Sequence, residues 1–217
     1  MARSDRSRTA LLDAAERLFA EAGIAQTSDR KIAEAAGNSN HSAVGYYFGG
    51  REGLLRALLT RHVTGLEPRR QEMSAASASL LDDVRSLVVP ATDALGELAG
   101  RAGEGQPTWR ARFVRAALHD PQAAEVLRGL GDEAPAAARI VHAIVARLDH
   151  LPANIVRGRA ALMTHIITSA CAEHEEQAAR DSTTPRWHAT GDFLADAITG
   201  MLQAPVTHPT DPGRTDA

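Results

Sequence analysis

Apolar positions recur at helical spacing from one end of the chain to the other. In Thr9–Ala22, Leu11, Leu12, Ala15, Leu18, Phe19 and Ala22 share one face, which predicts a helix of about four turns. Gly23 closes it, because glycine adopts the left-handed conformation that ends a helix, and Ile24 can fold back onto the apolar face. Thr27 and Ser28 suit the start of a second helix, buried through Ile32, Ala33 and Ala36 and ended by Gly37. Gly37, Asn38, Ser39 and Asn40 favour a turn, after which Ser42–Phe48 forms a third helix with Val44 and Phe48 facing inward. A fourth is expected from Arg51 to about Leu66 on Leu54, Leu55, Leu58, Leu59 and Val63, with Pro68 marking its end.

The remainder, from about Met73, continues the same period. Leu80, Leu81, Val84, Leu87, Val88, Ala91, Leu95 and Leu98 form one stripe, which Pro90 should kink or split near Val89. Gly100 to Pro107 reads as a connection. Short helices follow around Trp109–Leu118, up to Gly131, and through Ile140, Ile144, Val145 and Leu148. Two long ones close the chain, Asn154–Ala179 and a segment carrying Phe193, Leu194, Ala197, Ile198 and Met201. Beyond Pro205 the Pro, Thr, Asp and Gly residues have no apolar face to bury, so the tail is expected to be disordered. Three parts result: a small helix-turn-helix domain at 1–66, a larger helical domain at 67–204 and a tail at 205–217.

Composition narrows the class to all-α. Apolar residues make up 44% of the chain, much of it alanine, while aromatics are only 4%. The single cysteine, Cys171, excludes an intrachain disulfide framework, and the opening residues lack the pattern of a secretory leader, so a reducing, cytoplasmic setting is expected. Charged residues interrupt every apolar run before membrane-spanning length, and no membrane partner is expected. The net charge of -3 hides a division: Met1 to Arg70 holds 11 basic against 8 acidic residues, the rest 13 against 19. The basic end is the one with the turn between short helices.

That turn and the helix after it present Asn38, Ser39, Asn40, His41, Ser42, Tyr46 and Tyr47. These side chains suit a DNA groove: Asn pairs with adenine, Ser and His bond base edges or phosphates, and Tyr hydroxyls reach phosphate oxygens. Phe48 alone reads as core. Catalytic chemistry is not supported. No Ser, His and acid arrangement of adequate specificity occurs, the nine histidines lack metal-ligand spacing, and Gly103–Gly105 has neither the lysine nor the preceding strand of a phosphate loop. No cofactor and no metal are expected.

The runs TALLDAAERLFAEAGI, TSDRKIAEAAG and YYFGGREGLL, in that order from Thr9 to about His62, resemble the tetracycline-repressor (TetR/AcrR) family of bacterial helix-turn-helix transcriptional regulators. The resemblance implies a three-helix DNA-binding domain joined by a fourth helix to a larger ligand-binding and dimerisation domain. It implies DNA contacts at Ser28, Arg30, Asn38, Ser39, Asn40, His41, Ser42, Tyr46, Tyr47 and Arg51, the last at the family's usual lysine position. The interval from Gly37 to Phe48 is one residue longer than usual, so Gly45 stands where an aromatic is common, and Tyr47 carries over better than Tyr46. An Asn-rich turn with a Gly-Gly-Arg-Glu-Gly join is similar to one subgroup of the family.

The resemblance further implies a homodimer through the last two long helices, about 154–179 and 187–203. Such a two-fold reader sets its recognition helices ~34 to 36 Å apart on a near-palindromic operator in double-stranded DNA. A small-molecule effector is implied too, hydrophobic by the usual character of pockets between helices. Trp109, Phe113, Met163 and His165 are its candidate lining, though ordinary core positions would look the same. The expected function is a repressor released from its operator by that ligand; the alternative is a helical interaction protein that keeps the fold but has lost specific DNA binding.

Overall fold

The computed structural model describes residues 3–206; most of the expected disordered tail lies outside the described residues. Among these residues the regular structure is helical throughout. The order is α1 (Arg3–Ala22), α2 (Asp29–Ala35), α3 (Ala43–Phe48), α4 (Arg51–Ala75), α5 (Leu80–Ala102), α6 (Arg110–His119), α7 (Pro121–Arg128), α8 (Pro135–Ala146), α9 (Ala153–Asp181) and α10 (Trp187–Gln203), with a 3-10 turn at Gly131–Glu133.

Two apolar cores organise them. The first gathers Leu11, Leu12, Ala15 and Phe19 of α1, Ile32 and Ala33 of α2, Ala43 and Val44 of α3, and Leu54, Leu55, Leu58 and Leu59 of α4. Phe113 and Ala117 of α6 and Ala123 and Val126 of α7 complete it, with the Phe113 ring stacked on Phe19 at 6.0 Å. The second core joins α5, α8, α9 and α10 through residues such as Val84, Leu95, Ile140, Met163, Leu194 and Ile198. Helix α6 touches both, since Ala111 belongs to the second core and Phe113 to the first.

Neither proline divides its helix. Helix α4 runs on through Pro68 to Ala75, and α5 runs unsplit through Pro90. Proline removes one helical hydrogen bond, but tertiary contacts hold both turns of α4 around it. The Glu67 carboxylate accepts from the amides of Ala136 and Ala137 at 2.6 and 3.2 Å, capping the otherwise unpaired start of α8. In α5 the start is secured by a capping box: Ser79 Oγ accepts from the Asp82 amide while Asp82 Oδ2 accepts from the Ser79 amide at 2.9 Å. Helix α10 lies close against it, because a Cβ at Gly191 would fall 2.3 Å from Thr92 Oγ1.

One buried carboxylate ties the first core to the rest. Glu16 of α1 accepts from Arg61 Nη2 and pairs with His62 Nε2, both at 2.8 Å and both on α4, while Arg110 Nε of α6 lies 3.5 Å away. Burial by itself would raise the Glu16 pKa; the hydrogen bond to His62 and the positive charges around it prevail and hold it at about 2. Burial keeps His62 below its ordinary value, so the imidazole is neutral at pH 7.

Both shifts act in one direction. The unfolded chain takes up a proton at His62 below pH 6.5 and at Glu16 below pH 4.5, whereas the folded protein resists both, so stability is complete above these values and is lost on acidification. Melting temperature should fall as pH drops from 7 to 3, and Glu16→Gln should flatten the limb below 4.5, removing up to about 3 kcal/mol of pH-dependent stability. Parallel acid limbs in the two proteins would show that Glu16 carries no such linkage.

Candidate nucleic-acid interface

The surface expected to read DNA is assembled from backbone geometry first. Ser28 caps α2, its Oγ accepting from the Lys31 amide at 3.3 Å. At the other end Gly37 takes a left-handed φ of 66°, the Asn38 amide reaches back to the Ala33 carbonyl at 2.9 Å, and the Gly37 amide to that of Glu34 at 3.0 Å. This pair of bonds is a Schellman closure, which only a residue tolerant of positive φ completes without strain.

The longer turn is then built by its asparagines. Asn38 Oδ1 accepts from the Asn40 amide and Asn40 Oδ1 from the Ser42 amide, each at 3.0 Å. Two successive side-chain-closed turns therefore hold Asn38 to Ser42 outside any helix, and α3 itself is only Ala43–Phe48. Their carboxamide oxygens are engaged by the backbone, which leaves the amino groups as the free donors. A paired contact to adenine from either asparagine requires that its oxygen also serve the base.

On α3, Ala43 and Val44 are buried, so Tyr47, one turn on, leans against the core while Tyr46 points away. Tyr46 is 79% exposed and meets Tyr47 edge-on at 4.9 Å. Of the two tyrosines, Tyr46 is the more exposed and Tyr47 the one partly buried against the core. Phe48 is only half-buried, with the Arg8 guanidinium 5.0 Å over its ring.

Ser39, His41 and Ser42 are exposed. Arg30 pairs with Glu34 one turn along α2 at 2.8 Å, and His41 Nε2 lies 3.6 Å from the same carboxylate. The hydrogen bond from Arg30 keeps the Glu34 carboxyl below its ordinary pKa. Arg30 faces solvent and is free to exchange this exposed pair for a phosphate at little cost.

Arg51 is different. Its Nη1 lies 3.1 Å from Asp29 Oδ1, its Nη2 bonds the Ile24 carbonyl, and its guanidinium sits 4.6 Å over the Phe19 ring. These contacts make Arg51 a structural tie from α4 to α2 and to the α1–α2 connection. The join ahead of it needs its glycines: Gly49 and Gly50 have φ of 73° and 114°, and a Cβ at Gly53 would meet the Phe48 carbonyl oxygen at 1.8 Å.

A cavity of about 230 Å³ lies among α4, α5, α6, α7 and α9, walled by residues including Leu59, Val63, Leu66, Leu95, Val114, Leu127 and Ile167, with His62, Arg70 and Arg110 among its polar lining. None of the four expected ligand residues lines it. Phe113 fills the first core and Met163 the second, His165 is exposed beside His119 at 6.3 Å, and Trp109 borders a separate groove next to Glu16 and Arg61. Phe113 and Met163 thus take the ordinary core positions that were the alternative for them, while His62, Arg70 and Arg110 were not among the expected lining residues. Glu16 was the one legible signal, since it shares the inward face of α1 with Leu12 and Phe19.

The fold and this surface define an all-helical protein with an amino-terminal helix-turn-helix. Residues 11–58, from α1 into α4, match the family model of the tetR bacterial regulatory proteins. Solved structures share the fold across nearly the whole chain. A TetR-family transcription regulator from Marinobacter aquaeolei VT8 is 17% identical with a TM-score of 0.61, covering 92% of this chain and 96% of its own. GusR of Salmonella enterica is 19% identical with a TM-score of 0.54 over 94% and 99%, and AmtR of Mycobacterium smegmatis 18% with 0.54 over 90% and 86%. No curated protein matches by sequence. Among the described residues no helix is long and apolar enough to cross a membrane.

Arg51→Ala should lower folding stability by about 2 kcal/mol, because it strands Asp29 and the Ile24 carbonyl and uncovers Phe19. Urea denaturation checks this; an unchanged midpoint would mean that Arg51 is a solvated charge.

Proposed function

We propose that the chain is a homodimeric, sequence-specific transcription regulator of the cytoplasm, a repressor released from a near-palindromic operator by a small molecule. The observation that carries the reading is the protruding set at the turn and α3. Polar residues from Ser39 to Ser42 and the Tyr46 phenol stand exposed, with Asn38 half-buried beside them, on a frame whose underside is well-packed core. Residues 1–66 supply this surface and 67–204 the sensing and pairing functions.

Direct contacts fall to Ser28, Arg30, Asn38, Ser39, Asn40, His41, Ser42 and Tyr46, with the Tyr47 hydroxyl at the margin and Arg51 as a positioning residue. The helix-start amides of α2 beside Ser28 suit a phosphate, and the turn suits base edges. Pairing is supported by the outer face of α9 and α10, where Phe193 is 70% and Leu162 46% exposed. Gly158, Ala161, Ala189, Ala197 and Gly200 are exposed on the same two helices, and such small residues let a second copy approach closely. An exposed apolar patch of this kind marks an interaction surface.

A second reading, an interaction protein without specific DNA binding, draws on the acid Glu34 in the middle of the surface and on the engaged asparagine oxygens. One titration separates them. Duplexes selected by the protein from a random pool should bind with affinity falling about a thousandfold between ~50 and ~200 mM salt, and Phe193→Asp should yield monomers that bind at least about tenfold more weakly. Absence of any selected sequence, with no salt dependence, would favour the second reading.

A further inference from the structure

The cavity among α4, α5, α6, α7 and α9 contains a cation that the chain leaves largely unanswered. The Arg70 side chain is 12% exposed. Its Nη2 reaches only the Leu87 carbonyl, at 3.4 Å, and its Nε has no partner. The nearest carboxylate, Glu67, is 3.8 Å away and already accepts from two amides at the start of α8. Among the described residues no Asp or Glu lines the cavity. A guanidinium so enclosed is costly unless an anion completes its hydrogen bonds.

We propose that this cavity takes a small monocarboxylic acid with an apolar body, its carboxylate forked onto Arg70 and its body laid along Leu66, Val63 and Leu59. The assignment deepens the effector reading given above and rests on it. A planar carboxylate matches the guanidinium fork, whereas a phosphate would bring more acceptors than the surrounding apolar wall has donors for. The volume, about 230 Å³, lies below the ~300 Å³ at which ordinary ligand pockets begin, so the body is short.

The other end of the cavity sets the orientation. Glu16 is ionised and can only accept, so His62 donates to it through Nε2–H. That leaves His62 Nδ1 as a buried acceptor with no partner, which repels a carboxylate. Arg110, near the same end, also has an unpartnered Nε, but its charge is answered by the ionised Glu16 3.5 Å away, a carboxylate not engaged in capping a helix. His62 precedes Arg70 by eight residues, ~12 Å along α4, so the head goes to Arg70 and the apolar end abuts His62. The ligand's far end thus presses on the residue that holds Glu16, and through it α1.

Calorimetry with octanoate and phenylpropionate against their primary amides tests the assignment. The acids should bind at least about tenfold more tightly than the amides. Arg70→Met should abolish that preference, Arg70→Lys should keep part of it, and Arg110→Met should leave it in place. Without ligand, Arg70→Met should melt no lower than wild type, since no well-made pair is lost; a merely structural arginine would lower it. Equal binding of acid and amide, no binding of either acid, or loss of preference in Arg110→Met in place of Arg70→Met would overturn the proposal. Release of a selected duplex is measured separately. Acid binding without release leaves the ligand class standing and removes the effector role, while release by the amides with no acid preference does the reverse.

Discussion

A single buried carboxylate sets how the two halves of this molecule meet. Glu16 lies where α1, α4 and α6 converge; it is the shared acceptor for Arg61 and His62, with the Arg110 guanidinium ion-paired 3.5 Å away. Without it Arg110 would lose the carboxylate beside it and Arg61 one of its two, leaving positive charge in a largely enclosed site. Asp13 takes a second bond from Arg61 at 2.7 Å, so the cluster reaches the surface. Next to it the Phe19–Phe113 stack carries the same junction in apolar form. The helix-turn-helix therefore does not hang from a linker; it is clamped to α6, which in turn walls the cavity.

Much of the fold was legible because helical period and glycine punctuation act locally. The ends of α1 and α2 at Gly23 and Gly37, the inward faces of α1 to α4, and the two long helices at the end of the chain all follow from such signals. Long-range contacts were not legible. Nothing near Pro68 shows that Glu67 will cap α8 and hold α4 through its proline, and nothing near Arg51 shows that Asp29 and Phe19 will enclose it. Of the four residues expected to line a pocket, Phe113 and Met163 fill the two cores, Trp109 borders a separate groove and His165 faces solvent. The cavity's own polar groups, His62, Arg70 and Arg110, are ordinary surface residues by sequence; only their burial distinguishes them.

The proposed DNA-reading surface shows a related division. Its position in the chain was readable, but its internal geometry depends on two asparagines bonding their own backbone, which makes the extra residue in the turn an organised feature. That arrangement holds Ser39 and His41 outward and turns Tyr46 to solvent. The same side chains that build the turn are candidates to read a base, so frame and reader are partly one thing. Rigidity here favours discrimination between sequences, since a preorganised surface spends less of its binding energy on ordering itself.

Amide hydrogen exchange over the whole chain, with and without a duplex that the protein has selected, addresses the central claim most directly. The account predicts slowed exchange concentrated in the backbone from Ser28 to Tyr47, with smaller changes at the α1–α6 junction around Glu16 and none on the outer face of α9 and α10. Protection on that outer face, with the turn between α2 and α3 unaffected, would contradict it.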